Sequence, residues 1–347
     1  MSMNSSNRNN GKRKVAVVQA APEFMDLDGC VAKAGRLIQE AASEGAQLVA
    51  FPECWFPGYP WWIWLSPVAD NLRYFQRYHE NSLSADGDAF RRLSGLARDY
   101  GIHVSVGASE RDHGSLYIAQ FLFGQAGELL QARRKLKPTH VERTVFGEGD
   151  GSHLQVVETR LGNVGQLCCW EHLQPLTKYA MYSLHEQVHV AAWPSFSCYP
   201  QAYSLGPQAN SAASQVYALE GQCFVLAPCG VISPDMHELL VETEQQASLI
   251  KVGGGFAQIY APDGSPMCDP LPEHQEGVLF AEIDLGAIAV AKSFADPVGH
   301  YSRPDVARLL LNRSPQPCVE EFSPEATEFI DAGEGPARTN PADAPAA

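Results

Sequence analysis

Short apolar runs alternate with amphipathic segments along most of the chain. Runs rich in Val, Ile, Leu and Phe predict strands near residues 14–20, 47–52, 102–109, 116–124, 128–135, 163–168, 187–193, 222–228, 247–251, 256–261 and 277–284. Apolar residues at three- and four-residue intervals predict helices near 28–44, 86–100, 174–185 and 208–221. This alternation is typical of an α/β protein, although periodicity alone does not distinguish a doubly wound sheet from other α/β folds.

Length and composition favour one large folded domain. The chain has 347 residues, of which 45% are hydrophobic, enough for a sizeable core. No linker rich in Gly, Ser or Pro interrupts residues 13–312, so we expect a single domain there. Residues 1–12 are polar, and residues 313–347 form an acidic tail rich in Pro and Ala. We expect the N-terminus to be disordered and the tail to be mostly disordered.

Charge and cysteine usage exclude several classes of protein. A net charge of −15 argues against a nucleic-acid partner, because a protein binds nucleic acid through a basic face. We expect no membrane protein, because no run of about 18 apolar residues occurs and the start of the chain lacks a signal-peptide pattern. Nine cysteines without a Cys-x-x-Cys pair suit reduced thiols in the cytoplasm. His185 and His189 fall on different predicted elements, so we expect no metal site there.

Three predicted strand ends carry residues suited to catalysis. Cys169 follows an apolar strand, where a thiol can act as a nucleophile, although a buried cysteine more often only packs. Glu53 ends another strand beside many aromatic residues, which should desolvate its carboxyl group, raise its pKa and suit it to proton transfer. Lys135 ends a third strand, and its charge should lower the thiol pKa and make the sulfur largely thiolate.

The chain resembles the nitrilase superfamily of carbon-nitrogen hydrolases, and within it the true nitrilases. The resemblance rests on three motifs: FPE at 51–53, RKLKPT at 134–139 and CCWEH at 168–172. Further matching blocks are VAVVQAAP at 15–22, HVER at 140–143 and GHYSRPD at 299–305. The match covers about residues 13–312, nearly the whole predicted domain.

The resemblance implies a fold, a catalytic triad and an assembly. The fold would be an α-β-β-α sandwich of two mixed sheets flanked by helices. The triad would be Glu53, Lys135 and Cys169, with Glu142 as a second glutamate near the lysine and the Trp170 backbone N–H as a further donor. An ordinary salt bridge is the alternative role for Glu142. The resemblance implies no cofactor and no metal, and self-association into dimers and larger spiral oligomers.

The implied reaction is hydrolysis of an organic nitrile to a carboxylic acid and ammonia, through a covalent thioimidate and thioester on Cys169. Large apolar side chains favour arylaliphatic or aromatic nitriles, and Tyr59, Trp62, Trp193 and Phe196 are the candidate pocket residues. Such aromatics also commonly form core or subunit interface. The alternatives are an amidase or carbamoylase, a cyanide-hydrolysing enzyme, and a non-catalytic assembly protein, which the complete triad disfavours.

Overall fold

The computed structural model describes residues 11–319, which fold into two β-sheets packed face to face with helices outside them. Buried side chains of both sheets share one hydrophobic core, while α1 and α3 cover the outer face of the larger sheet. Helices α4 and α5 pack against the smaller sheet. The α-β-β-α sandwich expected from the resemblance is therefore confirmed.

The elements follow one another in a mixed order of strands and helices. The strands are β1 Lys12–Ala20, β2 Leu48–Ala50, β3 His103–Asp112, β4 Ser115–Phe123, β5 Leu129–Arg134, β6 Phe146–Gly147, β7 Val156–Thr159, β8 Gly162–Cys168, β9 Val188–Ala192, β10 Phe224–Ala227, β11 Cys229–Gly230, β12 Gln258–Tyr260 and β13 Gly277–Asp284. The helices are α1 Leu27–Ser43, α2 Val68–Asn81, α3 Asp88–Tyr100, α4 Pro175–Ser183, α5 Pro207–Gly221, α6 Pro234–Leu240, α7 Glu244–Leu249 and α8 Gly286–Lys292.

Both sheets contain parallel and antiparallel pairs. The larger sheet has the order β11-β1-β2-β3-β4-β5, with β13 paired to β1 and β6 paired to β4. The smaller sheet has the order β12-β10-β9-β8-β7. Strands β1, β2 and β3 are mutually parallel in the larger sheet, as are β8, β9 and β10 in the smaller one. Parallel neighbouring strands place their carboxyl ends at the same edge of a sheet. The candidate catalytic residues lie just beyond these strand ends.

Strand β1 shows why central strands carry continuous apolar runs. Val15 and Val17 belong to the core between the sheets, while Ala16 and Val18 pack under the outer helices. Since successive side chains point to opposite faces, a strand covered on both sides buries every residue. The continuous apolar run that marked this strand in the sequence is a consequence of its two covered faces.

Polar side chains also cross the interface between the sheets. Gln166 on β8 accepts a hydrogen bond from Ser105 on β3 and donates to Gln131 on β5 at 2.8 Å. Arg133 on β5 makes two hydrogen bonds, of 2.7 and 2.9 Å, to the carboxylate of Glu171, which follows β8. These contacts fix the register of one sheet against the other near the ends of β5 and β8.

The sequence prediction was wrong in one strand and missed several short elements. Residues 247–251, predicted as a strand, lie largely in α7, which begins at a capping box formed by Thr243 and Gln246. Helix α2 was also missed; its sequence is mostly polar, and two of its apolar residues, Val68 and Leu72, are exposed. Helices α6 and α8 and strands β6, β7 and β11 were also missed, because such short elements carry little periodicity.

Two predictions on the chain termini fall mostly outside the described residues. Residues 1–10 of the predicted disordered N-terminus and residues 320–347 of the predicted tail are not described. The chain divides into two units, 1–314 and 315–347. Among the helices of residues 11–319, none is long and apolar enough to cross a membrane.

Replacement of Arg133 by Met should destabilise the fold strongly. The guanidinium is fully buried, and its loss leaves the Glu171 carboxylate buried without its counter-charge. Breaking such a pair costs ~3–5 kcal/mol, which urea unfolding would show as a lower midpoint.

The neighbouring Arg134 supplies the matched control. It pairs with Glu110 and Asp112 at a partly exposed site, so Arg134→Met should cost about 1 kcal/mol or less. Equal losses for the two variants would contradict a special role for the buried pair.

Candidate active site

The three residues predicted as a triad meet at the ends of their strands. Glu53 lies three residues beyond β2, Lys135 directly follows β5, and Cys169 directly follows β8. The Lys135 Nζ atom lies 2.8 Å from Glu53 Oε1 and 2.9 Å from Glu142 Oε2. Glu53, Lys135 and Glu142 are at most 2% exposed, whereas Cys169 is partly exposed and lines a cavity.

Glu53 is held by backbone contacts to both sheets. The N–H of Phe51 donates to Ser105 of the larger sheet, and the N–H of Glu53 donates to the Trp193 carbonyl just after β9 of the smaller sheet. Gly107 on β3 permits this path, since a Cβ there would clash with the Pro52 carbonyl oxygen. The glutamate backbone is therefore fixed before its side chain makes any contact.

The two glutamates differ in how completely their oxygens are used. Glu142 Oε1 accepts from the Tyr59 hydroxyl at 2.7 Å, and Oε2 accepts from Lys135 and from the Thr139 backbone N–H at 2.6 Å. Glu53 Oε1 accepts from Lys135, but its buried Oε2 has no hydrogen-bond partner among residues 11–319. Glu53 is therefore the carboxylate with an oxygen available to a proton.

Cys169 starts a 3₁₀ turn, Cys169–Leu173, with a backbone φ of 45°. This left-handed conformation is uncommon for a residue other than glycine and has to be held by its surroundings. Glu171 supplies part of that support, because its carboxylate accepts from the Cys168 N–H at 2.8 Å and from the Leu136 N–H at 3.0 Å. The backbone N–H of Trp170 lies close enough to the Cys169 sulfur to lower the pKa of the thiol.

The buried charges shift the pKa values of the triad in different directions. Burial raises the pKa of Glu53 to about 7, with Lys135 opposing the rise and Glu142 adding to it. Burial lowers the pKa of Lys135, but the two glutamates outweigh it and hold that pKa well above its ordinary value. Lys135 therefore stays positively charged throughout the neutral range.

The thiol does not follow the expectation drawn from the sequence. Burial and, after it, the Glu53 carboxylate raise the pKa of Cys169 well above its ordinary value, and Lys135 only partly offsets them. The prediction that Lys135 makes the sulfur largely thiolate is thus wrong, because burial and the Glu53 carboxylate outweigh the single ammonium group. A protonated thiol next to a carboxylate of pKa about 7 is instead suited to attack with transfer of its proton to Glu53.

A small inner cavity of about 50 Å³ adjoins Cys169 and Glu142. Tyr59, Trp193 and Phe196 line it, as do residues that the sequence analysis did not select, among them Trp64, Thr139, Leu205 and Asn210. The prediction for Trp62 needs correction, because its ring packs against Tyr74 and Tyr78 and lines neither this cavity nor the one beside it.

A larger outer cavity of about 570 Å³ lies next to the inner one. Trp64, Thr139, Trp170 and Leu205 line both cavities. The indole N–H of Trp170 donates to Asn210 Oδ1 at 2.8 Å, which fixes this ring against α5. The two cavities therefore form a narrow compartment at Cys169 that opens past aromatic side chains into a wider one.

Sequence reasoning missed several residues around the site for identifiable reasons. Trp64 and Thr139 lie close in sequence to Tyr59 and Lys135, which was an available signal. Leu205 lies far from every motif and is brought to the cavity only by the fold. The sequence analysis considered His189 only as a possible metal ligand. In the structure its ring nitrogens form hydrogen bonds with Glu186 and His172. Within the described part of the chain, no group of three or more His, Cys, Asp or Glu side chains is arranged to hold a metal ion.

Comparison with known proteins defines the family. The family model of carbon-nitrogen hydrolases matches residues 14–293. A nitrilase of Pseudomonas syringae pv. syringae is 56% identical over 92% of this chain and 96% of its own length. An aliphatic nitrilase of Rhodococcus rhodochrous is 52% identical over 86% of this chain and 82% of its own. An arylacetone-specific nitrilase of Alcaligenes faecalis is 50% identical over 86% of this chain and 84% of its own length.

A solved structure supports the fold. A carbon-nitrogen hydrolase from Helicobacter pylori superposes with a TM-score of 0.66 at 17% identity, over 85% of this chain and 96% of its own. The chain therefore belongs to the carbon-nitrogen hydrolase family. Within that family it is a nitrilase, a hydrolase that acts on carbon-nitrogen triple bonds, which confirms the resemblance seen in the sequence.

Activity should depend on a group that titrates near neutrality. Below a pH of about 7 the Glu53 carboxyl group is protonated and cannot accept the thiol proton. Measurement of kcat/KM against pH should show a rise up to about 7 followed by a plateau.

Variants test the assignment of that group. Glu53→Gln should lower kcat by about 10²–10⁴-fold, the usual contribution of a general base. Glu110→Gln changes a partly buried carboxylate that pairs with Arg134. This variant should keep the rise of kcat/KM between acidic pH and a pH of about 7. A wild-type profile that stays flat from acidic to neutral pH would contradict the role of Glu53.

Proposed function

We propose that Cys169 is the nucleophile of this nitrilase, that Glu53 is its general base and that the preferred substrates are arylaliphatic nitriles. The observation that carries the proposal is the buried Glu53–Lys135–Glu142 unit at the base of a cavity that Cys169 lines. Site roles follow from how each group is bonded and charged, and the substrate class follows from the shapes of the two cavities.

The first half-reaction forms a covalent thioimidate. Glu53 takes the proton of the Cys169 thiol while the sulfur attacks the nitrile carbon, so that a carbon–sulfur bond forms as one carbon–nitrogen bond of the triple bond breaks. The nitrile nitrogen gains negative charge and receives the proton back from Glu53. Lys135 keeps its charge and, with the Trp170 N–H, stabilises the negative nitrogen in the transition state.

Two water molecules complete the reaction. Glu53 deprotonates the first water, which adds to the thioimidate carbon. The tetrahedral adduct expels ammonia, protonated through Glu53, and leaves a thioester on the sulfur. A second water, again deprotonated by Glu53, releases the carboxylic acid and restores the thiol. The sum is one nitrile and two waters converted to one acid and one ammonia.

Glu142 is proposed as a positioning residue for Lys135. Its two oxygens already accept hydrogen bonds from Tyr59, Lys135 and Thr139, so neither is free to take a proton from water. It also supplies the second negative charge that keeps the Lys135 pKa high. The division of labour between the two glutamates therefore follows from their hydrogen bonds.

The cavities favour a flexible spacer between the nitrile and a large substituent. A cavity that holds one benzene ring measures ~150 Å³. The inner cavity, at about 50 Å³, has room for a nitrile group and a methylene but not for a ring. A ring placed one carbon further out would reach the outer cavity, at about 570 Å³, beside Trp64, Trp170 and Tyr199. A ring bonded directly to the nitrile carbon would have to enlarge the inner cavity.

The names of the relatives support nitriles as substrates, but they differ in the nitrile substituent that they indicate. Proteins at similar identity carry the names aliphatic nitrilase and arylacetone-specific nitrilase. Short aliphatic nitriles and cyanide also fit the inner cavity and are the second candidate class. An amidase or carbamoylase is disfavoured, because the relatives reported above carry the name nitrilase.

Self-association is a further part of the proposal. Apolar side chains project into solvent along α4, α5 and the turns before them, including Leu173, Leu176, Tyr203, Val216 and Leu219. A second copy of the chain would bury this surface, and sedimentation velocity would report the assembly size. The cytoplasm is the proposed location, because all nine cysteines are free thiols and most are buried.

Trapping of an intermediate on Cys169 would test the proposed nucleophile. Denaturation of the enzyme during turnover should leave a thioimidate or acyl adduct on the peptide that contains Cys169, visible by mass spectrometry. Cys169→Ala should show no adduct and no ammonia release above background. Cys168→Ala is the matched control, since this neighbouring thiol is buried within the core, and it should retain most activity. An adduct on any other residue would overturn the proposal.

A short substrate panel would test the proposed spacer. Ammonia release measured by kcat/KM should be at least tenfold higher for phenylacetonitrile than for benzonitrile, because only the first can place its ring in the outer cavity. Leu205 lines both cavities, so Leu205→Ala should enlarge the space between them. The ratio of kcat/KM for phenylacetonitrile to kcat/KM for benzonitrile should then fall. Equal rates on the two nitriles in the wild type would reject the cavity argument, and release from the matching amides alone would favour an amidase.

A further inference from the structure

A chain of buried polar side chains lies behind the nucleophile and takes no part in the mechanism above. Glu186 Oε2 lies 2.8 Å from His189 Nδ1, and His189 Nε2 lies 2.9 Å from His172 Nε2. His172 Nδ1 lies 2.6 Å from the backbone carbonyl oxygen of Cys169. All three side chains are at least 98% buried, so burial requires every one of their polar atoms to be satisfied.

The chemistry of the partners fixes the direction of these hydrogen bonds. A carbonyl oxygen only accepts, so His172 Nδ1 carries a proton and donates it to Cys169. The two facing Nε2 atoms share one proton, and another lies between His189 Nδ1 and the Glu186 carboxylate. These three protons are one more than two neutral imidazoles carry. The carboxyl group of Glu186 is the partner that allows this third proton, because it shares one with His189 Nδ1.

The last hydrogen bond of the chain acts on the peptide group that matters for catalysis. The Cys169 carbonyl and the Trp170 N–H belong to one planar trans peptide, so the two point in opposite directions. When His172 holds the oxygen on its side, the Trp170 N–H points the opposite way and lies where it lowers the pKa of the Cys169 thiol. The same contact helps to hold the left-handed backbone of Cys169, at φ 45°.

The surrounding core restricts each member of the chain to one orientation. The His172 ring packs between Trp193 and Tyr217, with centroid distances of 5.3 Å to each, and His189 stacks on Tyr217 at 3.9 Å. The Tyr217 hydroxyl donates to Glu186 Oε1. Gly165 on β8 leaves the space that the Glu186 carboxylate occupies, since a Cβ there would clash with it.

We propose that Glu186, His189 and His172 are positioning residues that hold the Cys169–Trp170 peptide so that its N–H faces the negative charge formed on the sulfur and the substrate nitrogen. The chain also polarises this peptide, because hydrogen bonds in series strengthen one another at low dielectric. The inference rests on the proposed function, in which Cys169 is the nucleophile.

Two substitutions at His172 separate the hydrogen bond from simple packing. His172→Leu removes the donor and should lower kcat at least tenfold with KM changed less than twofold, and should slow iodoacetamide alkylation of Cys169 to a similar extent. His172→Asn should restore most of both rates, because its amide nitrogen lies as many bonds from Cβ as Nδ1 does. A role limited to packing Trp193 against the cavity would instead change KM and would not favour Asn over Leu.

Glu186→Leu tests the far end of the chain. It removes the carboxyl group that faces His189 Nδ1, so that buried nitrogen loses its partner and His189 no longer holds His172 in one orientation. We expect kcat to fall at least threefold at unchanged KM, whereas Glu186→Gln should keep kcat near wild type, because its amide N–H can donate to His189 Nδ1. These variants also keep the proposal testable if His172→Leu does not fold, because an unchanged kcat in Glu186→Leu would overturn the role of the chain.

Tyr182→Phe is the matched control. Its hydroxyl lies in the same core but donates to Glu220 at 3.1 Å and not to the chain, so kcat and alkylation should stay within twofold of wild type. Unchanged kcat and alkylation in His172→Leu would overturn the proposal. Such a result, with the covalent adduct still formed on wild-type Cys169, would leave the proposed function intact. Absence of the adduct in the wild type would reject the function itself.

Discussion

Charge buried at the seam between the two sheets is the constraint on which the site depends. Arg133 and Lys135 are two residues apart and therefore face the same side of their strand, while Arg134 between them pairs with partly exposed carboxylates. Each buried cation requires a carboxylate, because an isolated charge at such a position would cost several kcal/mol. The carboxylates come from three separate segments, Glu53, Glu142 and Glu171. Their pairing brings together the ends of β2, β5 and β8.

The same constraint determines the chemistry that the site can perform. Two carboxylates and one ammonium group leave an excess of negative charge next to Cys169, and this charge adds to burial in keeping the thiol protonated. A proton acceptor is then needed at the moment of attack. Glu53, the proposed general base, suits that need because one of its oxygens lacks a partner among the described residues and its pKa is raised to about 7. Glu142 is fully bonded and serves the lysine instead.

Contacts from two sides hold the backbone of Cys169, the proposed nucleophile. Glu171, held by Arg133, accepts from the backbone ahead of Cys169, and His172 donates to its carbonyl oxygen. Both residues belong to the short motif that follows the cysteine, but each reaches the core through a partner remote in sequence. The left-handed turn at Cys169 therefore depends on contacts within both sheets, and the cavity in front of it depends on aromatic residues from several loops.

The sequence by itself determined the order of most of the long strands and helices and the family, and it predicted that Glu53, Lys135, Cys169 and Glu142 lie at one site. It could do so because long apolar periods and short motifs are local properties of the chain. Only the tertiary structure decided that Trp62 packs away from the cavity, that residues 247–251 lie largely in a helix, and that the thiol is protonated at rest. Each of these outcomes depends on which distant side chains surround a residue. Burial and the sum of nearby charges are set when the two sheets pack together, and no local pattern records them.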